Sequence, residues 1–358
     1  MIRSTTRVVS LVLFCALLGA CSGYSDIETV SAVGRSAPVS QSAAESRPPD
    51  FADLAYAPAM PEGSSGHLMD VYLPDSADGP LPVVIWSAGS AWQRDDGKNR
   101  AEWLVANLVP QGYAVVAVSV RSSSQARFPA QLHDIKAAIR YVRANADRFG
   151  IDPDRIAMMG TSSGGWLSAM AGVTGGIAEF EGEIGTLGQS SEIQAVVAFW
   201  PPTHFSTMDA WMIEPCEQIE RGGKLGFCHD EPDSPESSLL GCPVQECEAL
   251  VRRASPQTYV NSSSPPIMIV HGQSDQFVPH NQGEALYQAY SQACATATFV
   301  SIPRVIHGQF PAVLLDSELT QGASIRSTSS NGCVIATPTP IGFSEDVVTE
   351  FLQLNLQQ

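Results

Sequence analysis

The stretch "IAMMGTSSGGWLSA", residues 156–169, decides the fold of this chain. It passes from an apolar run into a cluster of glycine, threonine and serine, and then into a segment with helical composition. A strand, a tight turn with the spacing G-x-S-x-G and a following helix are typical of a turn that exposes a reactive serine. The pentapeptide alone is a weak signal because glycine and serine are common, so the neighbouring segments decide what it means.

Two serines compete for the apex of this turn. A nucleophile on such a strained turn needs small residues two positions before it and two positions after it. Ser162 has Gly160 and Gly164 at those positions, whereas Ser163 has Thr161 on one side. The spacing favours Ser162 as the nucleophile and predicts that Ser163 offers its backbone N–H to an oxyanion.

The body of the chain alternates strand patterns with helix patterns, which predicts the α/β class. The strand segments are apolar along both faces, so we expect a mostly parallel sheet with helices on both sides. Helical spacing of apolar residues covers 128–150 and 281–293. The predicted strands are residues 67–74 (at a sheet edge, because Pro74 ends the run), 81–89, 112–120, 155–160, 193–202, 265–272 and 297–303.

An acid and a base for the serine follow two of the later strands. Asp275 comes just after the strand 265–272, and His307 comes just after the strand 297–303. The order serine, acid, histidine is the order that a serine on this kind of turn requires. Because each residue follows its own strand, we expect all three at one edge of the sheet.

Other residues compete for these roles and fit them less well. His271 ends a strand and precedes the acid, and two aspartates lie in a cysteine-rich segment. These alternatives are His271 as the base, and Asp230 or Asp233 as the acid. The loop "WSAGSAW", residues 86–92, follows an early strand and is the candidate for the second oxyanion donor.

Residues 204 to about 262 form a long connection, which is usually functional or a subdomain. We expect an insertion over the C-terminal edge of the sheet, stapled by disulfides, because the body holds an even number of cysteines. A zinc site that includes His229 is the rival interpretation, although no C-x-x-C is present. The spacing favours the pairs Cys216–Cys228, Cys242–Cys247 and Cys294–Cys333.

The first 20 residues have the pattern of an export signal. A short basic region precedes the apolar run "VVSLVLFCALLGA", which is too short for a comfortable membrane span. The run ends in "LGAC", residues 18–21, which resembles the lipobox of bacterial lipoproteins and predicts lipidation of Cys21. A plain secretory signal is the alternative. We expect residues 1–20 to be a lipoprotein signal peptide and residues 21–50 to be a flexible tether. A lipid would then hold the exported protein at a bacterial membrane, where it faces the periplasm or the outside.

The composition supports a folded domain over residues 51–358, which we expect to be the catalytic domain. Of the 358 residues 44% are hydrophobic, which is globular composition. The net charge of −17 repels phosphate backbones and argues against nucleic acid as a partner. Nothing in the expected chemistry requires a metal or a cofactor.

Taken together, these segments resemble the α/β-hydrolase esterases, in particular the Bacteroides-type feruloyl esterase (BD-FAE) group, close to the hormone-sensitive-lipase-like carboxylesterases. The resemblance covers about residues 60–355 and is most specific from Phe128 to Trp166. It also rests on "LPVVIWSAGSAW", "PPIMIVHGQSDQFVP" and the late "HG". It implies the nucleophile, acid and base Ser162, Asp275 and His307.

The resemblance also implies an oxyanion loop, where this chain departs from the family. The family usually has H-G-G-G or H-G-G-A before the tryptophan, and this chain has Ala88, Gly89, Ser90 and Ala91. The donors are backbone N–H groups, so small side chains can keep the function. We expect the donors to be the N–H groups of Ser90, Ala91 and Ser163.

The implied function is that of a serine carboxylic ester hydrolase with an acyl-enzyme intermediate. The substrates would be acetyl or feruloyl esters of polysaccharides, or small or polymeric esters. The alternatives are a prolyl-oligopeptidase-like serine peptidase and a non-catalytic binding lipoprotein. Three aromatic residues are candidates for the substrate pocket or for the core: Trp92, Trp166 and Phe128.

Overall fold

The computed structural model describes residues 47–221, 223–330, 333–336, 339–340 and 342–357. The expected signal peptide, Cys21 and nearly all of the expected tether lie outside the described residues. Among the residues described, every helix is too short or too polar to cross a bilayer.

A mixed sheet with a parallel centre organises the described chain. Its order is β1-β2-β4-β3-β5-β6-β9-β10-β11-β12, with β13 also pairing to β11, and β7 and β8 form a separate hairpin. The strands from β4 to β10 in this order are parallel, whereas both flanks are antiparallel. The strands are β1 (Phe51–Ala55), β2 (Leu68–Tyr72), β3 (Leu81–Ser87), β4 (Ala114–Val118), β5 (Ile151–Thr161), β6 (Ala195–Phe199), β7 (Glu220–Arg221), β8 (Lys224–Leu225), β9 (Ile267–Gly272), β10 (Ala297–Ile302), β11 (Ser324–Ser329), β12 (Val334–Ile335) and β13 (Thr339–Pro340).

Helices cover both faces of this sheet, as the apolar strands predicted. Successive residues of β3 point to opposite faces: Val83 and Ile85 enter one core, and Val84 and Trp86 enter the other. The α-helices are α1 (Glu102–Leu108), α2 (Ala130–Ala144), α3 (Ala146–Phe149), α4 (Ser163–Val173), α5 (Ala178–Glu181), α6 (Pro235–Leu240), α7 (Glu248–Arg253), α8 (His280–Gln292), α9 (Ala312–Leu315) and α10 (Glu345–Leu356). Helices α2, α4 and α8 pack on the first core, and α1 and α10 pack on the second.

The expected edge position of the strand at residues 67–74 is wrong. Strand β2 pairs with β4 on one side and with β1 on the other, so β1 is the edge on that flank. Pro74 is compatible with this interior position because it lies beyond the paired residues Met69–Tyr72 and interrupts no ladder bond. Asp50 also belongs to the folded body, since its carboxylate accepts a hydrogen bond of 2.7 Å from the Leu73 N–H.

The long connection between β6 and β9 is an irregular insertion that contains α6, α7 and the β7–β8 hairpin. Its short 3₁₀ helices are Phe205–Thr207, Asp209–Trp211, Cys216–Gln218, Val244–Glu246 and Pro256–Thr258, and another, Val109–Gln111, follows α1.

The described part of the chain has three disulfides, and they are the pairs that the spacing favoured: Cys216–Cys228, Cys242–Cys247 and Cys294–Cys333. The first two lie in the insertion, and the third ties the end of α8 to the segment after β11. Because the sulfurs are bonded to each other, these cysteines do not offer thiolates to zinc. Such bonds persist in oxidising compartments, which indicates an exported protein.

Candidate active site

The turn between β5 and α4 is as crowded as the glycine spacing predicted. Ser162 lies between the two elements with φ 54° and ψ −124°, a conformation that only a tightly constrained turn imposes on serine. A Cβ at Gly160 would overlap the carbonyl of Gly164, and a Cβ at Gly164 would overlap the carbonyl of Ser87. Only glycine therefore fits these two positions, and the Ser162 side chain stands at the apex.

The structure brings Ser162, His307 and Asp275 into one hydrogen-bonded chain. The His307 Nε2 lies 3.0 Å from the Ser162 Oγ, and the His307 Nδ1 lies 2.8 Å from the Asp275 Oδ2. The carboxylate can only accept, so Nδ1 carries the proton and Nε2 of the neutral ring faces the serine hydroxyl as an acceptor. This tautomer can take a proton from Ser162.

The Asp275 carboxylate is fully buried and forms hydrogen bonds through both of its oxygens. Its Oδ1 accepts hydrogen bonds from the N–H groups of Phe277 at 2.9 Å and Val278 at 2.8 Å. Burial acts to raise the pKa of this carboxyl. The charge and the hydrogen bond of His307 outweigh burial, together with smaller contributions from other neighbours, so the pKa is lowered. Asp275 is therefore an anion that orients the ring of His307.

His271, the competing base, lies on the other side of the same carboxylate. It is completely buried; its Nε2 donates to the Val278 carbonyl at 2.9 Å and lies 3.7 Å from the Asp275 Oδ2. Burial lowers the pKa of His271 to about 4, so the ring is neutral at ordinary pH. His271 therefore supports the acid loop, whereas the ring that bonds the serine is that of His307.

The rival acids both lie in the insertion. The Asp230 carboxylate accepts a hydrogen bond of 2.7 Å from the Gln245 side chain, and Asp233 lies just before α6. The carboxylate that bonds His307 is that of Asp275.

The loop 88–92 lies directly against the serine turn. The N–H of Gly89 donates to the Thr161 hydroxyl at 3.1 Å, and the N–H of Ser90 donates to the Ser163 hydroxyl at 2.9 Å. The Ser90 N–H is therefore already engaged and would have to exchange partners to hold an oxyanion. The Ala91 N–H has no hydrogen-bond partner among the described residues. The Ser163 N–H opens α4 and has no acceptor within that helix.

The three aromatic candidates for the substrate pocket are packed in the core. Trp166 is 0% exposed, Trp92 5% and Phe128 7%, and the ring of Trp166 touches both others edge-on. The Trp166 Nε1 donates to the carbonyl of Ala254 at 2.7 Å. These rings are enclosed because they fill the space between α4, the loop 88–92 and the insertion, and they do not offer an open acyl pocket.

A buried histidine of the insertion contacts the acid loop. The Nδ1 of His229 lies 2.9 Å from the Glu236 carboxylate, and its Nε2 lies 2.8 Å from the Phe277 carbonyl. Two acceptors require two N–H donors, which is the imidazolium form. Burial acts to lower the pKa of His229, but Glu236 outweighs it and raises the pKa. The insertion is thereby joined to the loop that carries Asp275.

Sequence reasoning missed the side chains that support this arrangement. The hydroxyls of Thr161 and Ser163 accept from the loop 88–92, and the two amides after Asp275 hold its carboxylate. The second of these had a local signal, since aspartate side chains commonly bond N–H groups two and three residues ahead. The first had none, because it joins segments some 70 residues apart.

Comparisons with known proteins identify the family and the fold of this chain. The BD-FAE family model matches residues 69–290. Esterase LipC of Mycobacterium tuberculosis is 28% identical over 243 residues, which are 67% of this chain and 56% of the relative. The chain thus spans about half the length of the curated relatives it matches.

Two solved structures are similar in sequence as well as in fold. A truncated carbohydrate esterase from gut microbiota is 35% identical with a TM-score of 0.64, and the match covers 72% of this chain and 88% of that one. A bifunctional GH43-CE protein of Bacteroides eggerthii is 32% identical with a TM-score of 0.63, and the match covers 73% of this chain and 36% of that one. Because the family model covers more than half of the sequence, the chain belongs to the BD-FAE family and has the α/β-hydrolase fold.

Proposed function

We propose that the protein is a serine carboxylic ester hydrolase that forms an acyl-enzyme intermediate. The observation that carries the proposal is the continuous chain of hydrogen bonds from Asp275 through His307 to Ser162. This arrangement of acid, base and nucleophile recurs on unrelated folds in enzymes that activate a serine for acyl transfer. The similar proteins LipC and the gut carbohydrate esterase are esterases, which favours esters over peptide bonds as substrates and a catalytic role over simple binding.

In the first half of the reaction, His307 Nε2 takes the proton of Ser162 as the Oγ attacks the ester carbonyl. Asp275 stabilises the imidazolium that forms. The tetrahedral intermediate collapses when His307 gives its proton to the leaving alcohol. A water molecule then repeats the sequence on the acyl-enzyme, releases the carboxylic acid and restores Ser162.

The oxyanion is held by the N–H groups of Ala91 and Ser163, joined by that of Ser90 when it leaves the Ser163 hydroxyl. Each such donor contributes about 3–4 kcal/mol to the stability of the transition state in comparable enzymes. The two donors that are free at rest lie on the two segments that the Gly89 and Ser90 hydrogen bonds hold together.

The ester substrate is an acyl group on a carbohydrate, an acetyl or feruloyl ester being the simplest case. Support comes from the two similar structures, whose names describe carbohydrate esterase activity. Small synthetic esters and polymeric esters remain substrates of the same chemistry, because the acyl-enzyme mechanism places no demand on the alcohol.

The protein is held at a membrane by a lipid on Cys21. The support is the sequence "LGAC" after an apolar run, together with the disulfides of an exported chain. Metabolic labelling with a palmitate analogue in a bacterial host tests it: the wild type carries label, and Cys21→Ala does not. Equal labelling of both proteins contradicts the anchor.

Two serine variants test the enzymatic proposal. Hydrolysis of p-nitrophenyl acetate is expected to fall at least about 10⁴-fold in Ser162→Ala, because the nucleophile is gone. Ser163→Ala keeps its backbone N–H and is expected to stay within about tenfold of the wild type. Equal losses in both variants, or none in either, contradict the assignment.

A further inference from the structure

A polar cavity of about 690 Å³ opens beside the loop 88–92. One wall is the segment 123–127, which follows β4, and the other is the segment 237–243 of the insertion. Ligand sites commonly have volumes of roughly 300–1,000 Å³. Among the described residues that line this cavity, serine, glutamine and proline predominate, one is an arginine, and none is acidic or aromatic.

Several polar groups in these walls are unoccupied. By contrast, the side-chain amide of Gln125 is fully engaged: it donates to Ser64 at 3.0 Å and to Asp95 at 2.7 Å, which fixes this wall. Four other side chains of the lining have no hydrogen-bond partner within the described chain: the Gln93 amide, the hydroxyls of Ser123 and Ser238, and the Arg127 guanidinium.

Arg127 is the only charged side chain among the described residues that line this cavity. Its guanidinium lies over Gly241, where a Cβ would collide with it, so the glycine leaves room for the arginine. The chain has 37 acidic and 20 basic residues, yet no described carboxylate pairs with Arg127. A free, planar guanidinium matches a carboxylate in two parallel hydrogen bonds.

The cavity is joined to the site of reaction through the loop 88–92. The N–H of Gln93 donates to the Ser90 carbonyl at 3.0 Å, and the N–H of Ser123 donates to the Trp92 carbonyl at 2.7 Å. Both cavity residues are thus fixed to the loop whose Ser90 N–H contacts Ser163. A ligand in the cavity therefore lies beside the oxyanion loop.

We propose that this cavity is a subsite for a uronate residue of a carbohydrate ester, an inference that rests on the proposed esterase function. The sugar carboxylate pairs with Arg127. The sugar hydroxyls bond to Gln93, Ser123 and Ser238, whose amide and hydroxyl groups suit a ligand with both donors and acceptors. The insertion therefore selects esters in which the alcohol is part of an acidic glycan.

Arg127→Gln removes the charge and keeps a shorter polar side chain that can still form hydrogen bonds. We expect kcat/KM to fall at least tenfold on an acetylated xylo-oligosaccharide with a glucuronate branch. On the unbranched acetylated oligosaccharide and on p-nitrophenyl acetate it changes less than twofold. Arg127→Lys recovers part of the loss. The matched control is Arg252→Gln, an exposed arginine in the last turn of α7 that does not line the cavity. Equal changes on all three substrates, or none on the branched one, overturn the proposal.

A binding experiment separates this proposal from the esterase proposal. Calorimetric titration of the Ser162→Ala protein uses ester-free xylotetraose with a glucuronate branch, so it needs no hydrolysis. Adding Arg127→Gln is expected to weaken binding at least tenfold, and unchanged binding overturns the subsite. Malate, a small hydroxy acid, tests whether the cavity binds any hydroxylated carboxylate. If malate binds much more weakly than the oligosaccharide, the result supports a glycan subsite. If malate binds as tightly, the result overturns it.

Discussion

The turn at residues 160–164 and the loop at residues 88–92 meet across two hydrogen bonds, but they handle backbone crowding differently. In the turn, glycine occupies both positions where a Cβ would overlap a neighbouring carbonyl. In the loop, glycine occupies one such position, Gly89. Ala91 and Trp92 instead have positive φ angles, of 51° and 56°. A left-handed angle costs a non-glycine residue about 1–2 kcal/mol.

This difference between the turn and the loop shows which backbone constraints can be identified from a sequence. Crowding in the turn is local, because the glycines stand two residues to either side of Ser162 and a spacing rule captures them. Crowding in the loop is imposed by the turn itself, through the Thr161 carbonyl and the Ser162 Cβ, and the hydroxyls of Thr161 and Ser163 hold the loop there by hydrogen bonds. The loop conformation is therefore held by contacts between distant segments, and the family's glycines are not needed to reach it.

Among the substitutions that test backbone crowding, the largest effect is expected for Gly164→Ala. Its Cβ would overlap the Ser87 carbonyl, which is backbone and cannot move aside. We expect esterase activity to fall at least about 10³-fold and the free energy of unfolding to fall by about 3 kcal/mol. Kinetics and urea denaturation measure both. Gly79→Ala is the control, since a Cβ there meets nothing within 4 Å. A Gly164→Ala protein as active as the control contradicts the crowding.

Gly89→Ala should have a smaller effect. Its Cβ would overlap the Thr161 carbonyl and approach the Ser162 Cβ, but the loop can shift outward where the turn cannot. The expected loss is about 10²-fold in kcat with less than about 2 kcal/mol of stability, because the oxyanion donors move. A stability loss as large as that of Gly164→Ala would show that the loop is as rigid as the turn.

Neither region has an ionisable side chain, but the acid side of the site contains a buried histidine whose protonation responds to mild acid. The pKa of His271 is lowered to about 4, against an ordinary value of about 6.5. Between these values the unfolded chain binds the proton and the folded chain does not, so stability falls as pH falls from 6.5 toward 4. Thermal melts should show a smaller fall for His271→Gln than for the wild type. Parallel pH curves contradict this.

Removing the two hydroxyls that hold the loop is expected to have modest effects. Ser163→Ala and Thr161→Val each delete one acceptor, worth about 1 kcal/mol, or about fivefold in kcat/KM. If the two act on one loop, the double variant should lose no more than the product of the single losses. A loss above about 10³-fold in either single variant would mean that the hydroxyl takes part in the chemistry.

The smallest effect is expected for Ala91→Gly. Glycine relieves the left-handed angle of Ala91 but makes the unfolded chain more flexible, and the two contributions nearly cancel. The free energy of unfolding should change by less than about 1 kcal/mol, measured in urea. A loss above about 2 kcal/mol would show that the methyl group of Ala91 packs in the loop.

Local spacing and strand order were enough to predict the parallel centre of the sheet and to select the three candidate residues that the structure joins by hydrogen bonds. The apolar runs identified the parallel strands, and the serine, acid and histidine were identified from their places after β5, β9 and β10. The sequence patterns missed two strands: β1, which is the edge strand, and β11. Strand β11 is only partly buried, and its apolar pattern is weak. Partly exposed strands lack a continuous apolar run, so only pairing with a neighbour reveals them.

The environment of the site could not be predicted, because it depends on contacts between segments far apart in the chain. The enclosure of Trp92, Trp166 and Phe128 results from the insertion packing over them, for example where Ala254 accepts from Trp166. The role of Ser163 is a similar case. The spacing assigned it a backbone N–H, and the structure adds a hydroxyl that accepts from Ser90.

We propose that Ser162, and not Ser163, is the nucleophile of an acyl-transfer site. Treatment with a fluorophosphonate, followed by digestion and mass spectrometry of the peptide that contains both serines, tests it directly. We predict complete loss of activity with one phosphonyl group on Ser162 and none on Ser163. Label on Ser163, or loss of activity with both serines unmodified, would contradict the account.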